Sequence, residues 1–334
     1  MTDSMELIAA LDRRVERRDE RREFFKAAFG MGALAVGGAA TLGFAKRADA
    51  QTATITDPDI LNFALNLEYL EAQFYAYAAT GNGLAADLLT GAGTQGAVVG
   101  GQKANLTDPV VIQYAREIAA DEVAHVAFLR SQLTTSVVAQ PAINIAGDAN
   151  GAFTAAARAA GVVGETDAFN PYANDDSFLL GAYLFEDVGV TAYKGAAPLI
   201  SSNAFLDAAA GILAAEAFHA GIIRGALYAR GVATPALRIN ADRISDARDT
   251  LDGTAGANNG DLDQGISPVT TPLTSSLGAT SAPASNFVPT DANGIAFSRT
   301  PAQVLNIVYL NRAAATMGGF FPNGVNGTIR ASVA

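Results

Sequence analysis

Four long apolar runs, each with a helix-start signal, shape the chain from residue 56 onward. Thr56-Asp57-Pro58 precedes the first run, which continues to Ala79, and Thr107-Asp108-Pro109 precedes the second, which continues to Leu133. A polar cap followed by proline in the first turn is typical of a helix start. The other two runs extend from Asp176 to Ala197 and from Ser202 to Gly231. Since all four are apolar on nearly every face, they predict the central helices of a bundle.

The connections between these runs predict how the helices pair. A Gly-rich loop of residues 80–106 joins the first two helices, and only a few residues separate the last two. The segment 134–175 between the pairs is long and predicts one short helix, Ala152 to Ala160. We therefore expect an all-α four-helix bundle made of two antiparallel hairpins with a long crossover.

The two predicted hairpins repeat the same residues in the same order. Glu68 and Tyr75 stand seven residues apart in the first helix, as Glu186 and Tyr193 do in the third. The second and fourth helices carry the sets Glu122, His125, Arg130 and Glu216, His219, Arg224, in which a Glu-x-x-His is followed by an arginine. A duplication of this kind indicates that matching residues occupy matching places in the fold.

The repeated acids and histidines predict a dinuclear metal site. Glu and His three residues apart share one face of a helix. Both histidines of the chain fall in such pairs, and four of the seven glutamates after residue 50 occupy repeated positions. Four buried acids are costly unless they are paired, protonated or bound to metal. The ligands we predict for two divalent ions are Glu68, Glu122, His125, Glu186, Glu216 and His219.

Several neighbours of these residues predict supporting roles. Glu71, one turn from Glu68, competes with it as an alternative ligand or supports the ligands from behind, although the repeat chooses Glu68 because Gly189 matches Glu71. Tyr75 and Tyr193 are candidates to donate hydrogen bonds or electrons at the site, or are ordinary core tyrosines. Asp121, four residues before His125, predicts an acceptor for that imidazole. We expect Arg130 and Arg224 to pair with carboxylates beyond the metal layer.

Composition excludes several other functions. The chain has no cysteine, which rules out disulfides, a thiolate metal site and a cysteine nucleophile. Its formal net charge of −11 argues against nucleic acid as a partner. Oxygen ligands with two imidazoles suit iron or manganese better than copper(I), and we favour iron.

Residues 1–50 predict an export signal. Arg21 and Arg22 precede a Phe-Phe-Lys run and a weakly apolar stretch, Ala27 to Ala45, that ends before Ala48-Asp49-Ala50. This order resembles a twin-arginine signal peptide cleaved after Ala50, with an uncleaved membrane anchor as the alternative. The resemblance implies passage through the twin-arginine translocase to the periplasm or beyond, often with the cofactor already loaded.

The chain thus divides into the leader 1–50, a metal-binding bundle 51–231 and a C-terminal part 232–334. Residues 232–298 are rich in Gly, Ser, Thr, Pro, Asn and Asp, and predict an irregular arm wrapped on the bundle, or a disordered one. A fifth helix is predicted from Thr300-Pro301, with a capping box at Gln303, to about Met317.

The motifs resemble those of the ferritin-like superfamily. The segment Asn62–Tyr75, together with Ala296–Tyr309 and Gly318–Gly327 in the C-terminal part, is similar to its exported branch, whose plant members are called desiccation-related proteins. The resemblance covers most of the chain after the leader and implies the bundle and its metal ligands.

The sequence is compatible with three functions. The one we place first is a redox enzyme that oxidises Fe(II) with O₂ or peroxide, and the runner-up is a manganese catalase-like enzyme that disproportionates peroxide. The third is a non-enzymatic, metal-binding stress or desiccation protein. A homo-oligomer is left open, whereas nothing in the sequence indicates a storage cage.

Overall fold

The structure, a computed structural model, describes residues 55–253, 262–275 and 278–333. The predicted leader, with Arg21, Arg22 and the cleavage site after Ala50, lies outside the described residues. Eleven helices and strands, with three short 3₁₀ turns, follow one another along the described residues. The helices are α1 Asp57–Thr80, α2 Pro109–Leu133, α3 Ala152–Ala159, α4 Asp175–Ala196, α5 Asn203–Ala233, α6 Ala236–Asp252 and α7 Pro301–Val308.

Local signals set the ends of the long helices where the sequence predicts them. The Asp59 carboxylate accepts hydrogen bonds from the Thr56 backbone N–H at 2.9 Å and from the Thr56 hydroxyl at 2.6 Å, which closes the first turn of α1. Gly81, with φ 86°, ends the same helix because glycine adopts this left-handed conformation at little cost. The Asp108 side chain caps α2, and the Ser202 side chain caps α5.

The bundle has the predicted connectivity of two antiparallel hairpins. Helix α1 packs on α2 and α4 packs on α5, and further contacts join α1 to α4 and α2 to α5. Arg230, near the end of α5, binds Asp108 at 2.8 Å and Asp176 at 2.6 Å, at the starts of α2 and α4. The end of α5 therefore lies beside the starts of both neighbours. The all-α four-helix bundle is confirmed.

The prediction that all four helices are buried on nearly every face is wrong for two of them. In α1 18 of 24 residues are buried and in α4 17 of 22, but α2 buries 8 of 25 and α5 9 of 31. The reason is that α7 and Phe320 pack on the α1–α4 side and α6 packs on α4 and on one part of α5, whereas the described residues leave the α2–α5 side largely uncovered. Among the described residues α5 is also the one helix long and apolar enough to span a membrane, a criterion that core helices of soluble proteins also meet.

The C-terminal part is more regular than the sequence analysis predicts. Residues 236–252 form the helix α6, which lies against α4, α5 and α7, so the prediction of an irregular arm is wrong there. The apolar positions Leu237, Ala241 and Ile244 recur at helical spacing and are buried. Helix α7 starts at the predicted capping box but ends at Val308, not near Met317.

Two small sheets complete the fold. Strand β1, Val98–Val99, pairs in parallel with β2, Ile143–Asn144, and so joins the first loop to the crossover. Strand β3, Val269–Ser275, pairs antiparallel with β4, Gly278–Ala284, in the C-terminal part.

A buried ionic cluster fastens the C-terminal part to the bundle. Asp187 on α4 binds Arg224 on α5 at 2.7 Å and Arg248 on α6 at 2.8 Å. Asp263 binds Arg248 at 2.7 Å and Arg299 at 2.9 Å. The three arginine side chains are fully buried, so each depends on its partners to offset the cost of desolvation.

Candidate metal centre

The four bundle helices bring all six predicted ligands together in the core. Their carboxylate oxygens and ring nitrogens form two overlapping groups, in each of which the atoms lie within 4.8 Å of one another. The first group is Glu68, Glu122, His125 and Glu216, and the second is Glu122, Glu186 and His219. Glu122 belongs to both groups, as expected of a carboxylate that bridges two ions.

Around His125 the potential ligand atoms face a common point. The His125 Nδ1 lies 3.2 Å from Glu68 Oε2, 3.6 Å from Glu122 Oε2 and 3.8 Å from Glu216 Oε1. Although buried, none of these four atoms has a hydrogen-bond partner among the described residues. Two ligands that are each about 2.0–2.2 Å from one ion lie at most about 4.4 Å apart, so these spacings fit a shared metal ion.

The half of the site around His219 has the same character. Its Nδ1 lies 3.2 Å from Glu122 Oε1 and 3.5 Å from Glu186 Oε2. All three atoms are buried and without a hydrogen-bond partner among the described residues. Oxygen-rich ligands with one imidazole nitrogen per half fit iron or manganese.

Burial and the neighbouring charges shift the pKa values of the clustered carboxyl groups. Burial would raise the pKa of Glu122, but the nearby imidazoles of His125 and His219 outweigh it and lower that pKa to about 2. Burial and the charge of Glu122 raise the pKa of Glu68 to about 7. Burial and the neighbouring Glu71 and Glu122 raise the pKa of Glu216 well above its usual range.

Both imidazoles hold protons tightly in this setting. Burial lowers the pKa of His125, but Glu122 and Glu68 outweigh it and raise the pKa to about 10. For His219 the carboxylates of Glu122 and Glu186 likewise outweigh burial, and the pKa rises to about 11. Metal ions would replace these protons as the positive charge that the carboxylates require.

Each tyrosine of the repeat reaches across to the other hairpin. The Tyr75 hydroxyl on α1 donates a hydrogen bond to Glu186 Oε1 on α4, and the Tyr193 hydroxyl on α4 donates one to Glu68 Oε1 on α1. Each bond occupies one oxygen of a predicted ligand and leaves the second oxygen directed into the cluster. The tyrosines thus fix the orientation of the two carboxylates.

Asp121 contacts His219 and not His125, the histidine predicted from the sequence. Its Oδ2 lies 3.1 Å from Nε2 of His219 on α5, whereas the sequence analysis expects it beside His125 on its own helix. The reason is that α2 and α5 lie side by side, which brings Asp121 over the His219 ring. Ala215 occupies the matching position in the second half, so the repeat supplies no equivalent carboxylate to His125.

Glu71 lies beside the cluster rather than within its two groups of converging atoms. It is buried and lines a small apolar cavity with Leu67, Val188, Gly189 and Phe320. Burial and the charges of Glu122 and Glu186 raise its pKa well above the usual range. At the matching position Gly189 approaches Glu216 so closely that a Cβ there would overlap the Glu216 carboxylate.

The two repeated arginines have different partners. Arg224 binds Asp187, a carboxylate beyond the cluster, as predicted. Arg130 instead donates to the Tyr69 hydroxyl at 2.6 Å and to the backbone oxygen of Thr90 at 2.7 Å, so the described residues do not bear out its predicted pairing with a carboxylate.

Comparison with known proteins identifies the family. The family model described as Ferritin-like domain matches residues 56–229, more than half of the chain. The chain belongs to the ferritin-like family. This match covers the four helices that carry the six residues, and it confirms the fold class predicted from the repeat.

Two relatives of this ferritin-like protein cover most of its length. Ferritin-like catalase Nec2 of Nesocodon mauritianus is 32% identical over 82% of this chain and 84% of its own. Desiccation-related protein PCC13-62 of Craterostigma plantagineum is 31% identical over 81% of this chain and 83% of its own. The predicted resemblance to the desiccation-related branch is confirmed. No solved structure matches the chain.

Proposed function

We propose that this ferritin-like protein holds two divalent metal ions and uses them to consume peroxide. The observation that carries the proposal is the set of buried, converging ligand atoms in both halves of the site that have no hydrogen-bond partner among the described residues. Buried polar atoms are nearly always paired, so a group of them directed at one place indicates a position for a metal ion. Carboxylate oxygens and imidazole nitrogens favour iron or manganese as that ion.

The distances between the ligand atoms support an assignment of the residues to two ions. Glu68, His125 and Glu216 would hold one ion, Glu186 and His219 the other, and Glu122 would bridge them. Two redox-active ions bound there would give two electrons to one H₂O₂ and regain two from another, so that 2 H₂O₂ become 2 H₂O and O₂.

The chain's own residues determine access to the site and its geometry. Tyr75 and Tyr193 orient two carboxylates, and Asp121 orients the His219 ring. His125 is 12% exposed and Asp121 49%, whereas the four ligand carboxylates are at most 1% exposed. Peroxide would therefore enter between α2 and α5, on the side of the histidines.

The names of the two relatives support two of the alternatives. A relative named a ferritin-like catalase favours peroxide disproportionation over simple oxidation of Fe(II), the reaction that the sequence analysis places first. A relative named a desiccation-related protein favours the second candidate, a protective protein that holds metal without turnover. Peroxide consumption is the function that best suits a buried two-electron site.

Metal content tests the site itself. We expect about two iron or manganese ions per chain, by plasma mass spectrometry, in protein purified from its own source. The double variant Glu122→Ala, His219→Ala should lose both ions, while Glu117→Ala, an exposed acid on the same helix, should keep them. Unchanged metal content in the double variant would show that the ligands are wrongly chosen.

Gas measurement tests the reaction. With an oxygen electrode, the metal-loaded protein should release one O₂ for every two H₂O₂ consumed, and the double variant should release none. Fe(II) oxidation without O₂ release would favour the ferroxidase reaction. If the loaded protein neither releases O₂ nor oxidises Fe(II) above a buffer control, the protective, non-enzymatic candidate replaces it.

The place of action is also part of the proposal. The pair Arg21-Arg22 and the small residues Ala48 and Ala50 support export by the twin-arginine route and cleavage after Ala50. N-terminal sequencing of the exported protein should then begin at Gln51. The double variant Arg21→Lys, Arg22→Lys should remain in the cytoplasm at full length.

A further inference from the structure

Helices α2 and α5 leave an apolar surface uncovered by the described residues, which we call the α2–α5 face. On α5 the most apolar window has a mean hydropathy of 1.4, yet only 33% of it is buried. A helix that is apolar all round is normally buried in a protein core or in a membrane. The exposed or half-exposed residues of this face are Ala120, Ala124, Ala127 and Phe128 on α2 and Gly211, Ala214, Ala217, Phe218 and Gly221 on α5.

The α5 part of this face carries no exposed charge. Between Asp207 and Arg230 the acidic and basic residues of the helix are Glu216, His219 and Arg224, and all three are buried. The chain as a whole has a formal net charge of −11, so two copies repel each other over most of their surface. An uncharged patch is where two such copies can approach without that cost.

The face is also complementary to itself in shape. Phe218 projects from its middle with 74% of its surface exposed. Small residues lie along the same stripe at helical spacing, with Ala214 one turn before it, Gly211 two turns before it and Gly221 one turn after it. Apart from the adjoining residues and backbone of α5 itself, no atom of the described residues lies within 4 Å of where a Cβ would stand at either glycine. Around a two-fold axis, the Phe218 ring of each copy can pack over the small residues of the other.

The size of the face suits a dimer. With their polar ends included, helices of 25 and 31 residues are about 37 and 46 Å long, and side by side they present a strip about 20 Å wide, roughly 800 Å² of surface. The apolar face, about 14 to 17 Å long, forms the centre of this strip. Stable interfaces bury about 800 Å² on each partner. We propose that two copies of the chain associate through the α2–α5 face into a two-fold dimer.

The edge of the face favours a protein partner over a lipid surface. Gln113, Arg116 and Glu117 on α2 are exposed beside the apolar centre, and Asp121 is half-exposed within it. An apolar centre with a polar rim is the usual composition of protein interfaces. Charged groups of this kind are costly inside a bilayer. His125 and Asp121 reach the surface on this side of the bundle, so in the dimer peroxide would reach the site from between the two copies.

Sedimentation velocity on the purified chain tests the dimer. The wild type should sediment as a dimer, of about twice 34.2 kDa for the full chain, at micromolar concentration. Phe218→Asp and Ala214→Arg, two exposed positions on the face, should each weaken dimerisation at least 100-fold. Val288→Asp changes a side chain of similar exposure, 69%, in the C-terminal part and should leave the dimer intact.

Each result decides for or against the dimer. Unchanged far-ultraviolet circular dichroism and metal content in the two face variants establish that the fold and the site are kept and that association is lost. A wild-type monomer at about 50 µM, or a dimer that both face variants retain, would overturn the proposal. So would a monomer that co-sediments with phosphatidylethanolamine–phosphatidylglycerol vesicles and loses this binding in Phe218→Asp, because the face would then contact lipid.

Discussion

The Tyr75 hydroxyl on α1 donates a hydrogen bond to Glu186 on α4, so each hairpin orients a predicted ligand of the other. The reciprocal bond runs from Tyr193 to Glu68. We expect Tyr75→Phe to weaken metal binding about 10- to 100-fold, because Glu186 then loses the donor that fixes its orientation. Isothermal titration with Mn(II) measures the change. Tyr114→Phe, on α2 away from these bonds, is the control, and equal affinities in both variants would contradict the role.

The pairing of Asp121 with His219 makes the two halves of the site unequal. His219 has a carboxylate at its outer nitrogen, and the matching residue on the side of His125 is Ala215. We therefore expect two metal affinities in the wild type, with the tighter ion at His219. Asp121→Ala should weaken that ion about tenfold or more.

The converse change provides the matched control for this inequality. Ala215→Asp restores a carboxylate at the equivalent position and should bring the two affinities closer together. Competitive titration with a metal indicator resolves both binding steps. Two identical sites in the wild type would show that Asp121 does not distinguish the ions.

Metal binding should release protons at neutral pH. The pKa of His125 is raised to about 10 and that of His219 to about 11, so both imidazoles are protonated at pH 7 without metal and must lose their protons to bind it. We expect release of at least about two protons per chain, and an affinity that rises as the pH approaches 10. Titration calorimetry in buffers of different ionisation enthalpy measures the proton count. A count near zero would mean that the ions bind elsewhere.

The same shifts set the stability of the metal-free protein. Because the folded-state pKa values of the histidines lie above the unfolded value of about 6.5, their contribution to stability is complete below that pH and is lost as the pH rises through 10. Urea unfolding between pH 7 and 11 should show this loss in metal-free protein and a smaller loss in loaded protein.

Gly189 should tolerate no side chain. A Cβ at this position overlaps the Glu216 carboxylate, so Gly189→Ala should displace Glu216 and reduce metal content by about one ion. Gly225→Ala lies in a helix with open space around it and should keep both ions, with stability raised by about 0.5–1 kcal/mol. Equal metal content in the two variants would mean that Glu216 can move without loss.

The buried ionic cluster should make the C-terminal part sensitive to acid. Burial works to raise the pKa of Asp263, but Arg248 and Arg299 outweigh it and hold that pKa below its usual range. Its contribution to stability is therefore present above about pH 4 and is lost as the pH falls through the folded-state pKa. Asp263→Asn should lower the free energy of unfolding by about 3–5 kcal/mol at pH 7.

Acid titration supplies the check for that variant. The difference in free energy of unfolding between wild type and Asp263→Asn should shrink as the pH falls below 4. Asp207→Asn, an exposed acid on α5, should change stability little at any pH. A constant difference across the range would mean that Asp263 acts through packing and not through its charge.

The repeat in the sequence predicts the convergence of Glu122 and His125 with Glu216 and His219, because matching residues in a duplicated fold lie around one pseudo-two-fold axis. It cannot predict which histidine Asp121 contacts, since that depends on how α2 and α5 lie beside each other. The spacing of Leu237, Ala241 and Ile244 would have predicted α6, but the polar composition of the segment obscured it. Burial of a charged side chain such as Arg248 depends on acids distant in sequence and leaves no local signal.

Glu71 and Gly189 occupy matching positions of the repeat, and the difference between them bears on how such a protein can arise. Two copies of the first hairpin alone would supply Glu68, Glu122, His125 and Tyr75 twice, which is nearly the set of side chains in the present cluster. They would also supply Glu71 twice, and would thus place a second buried acid at the position of Gly189, which lies against the Glu216 carboxylate. A single chain with two diverged halves avoids that second acid, which two identical half-length chains would have to bury.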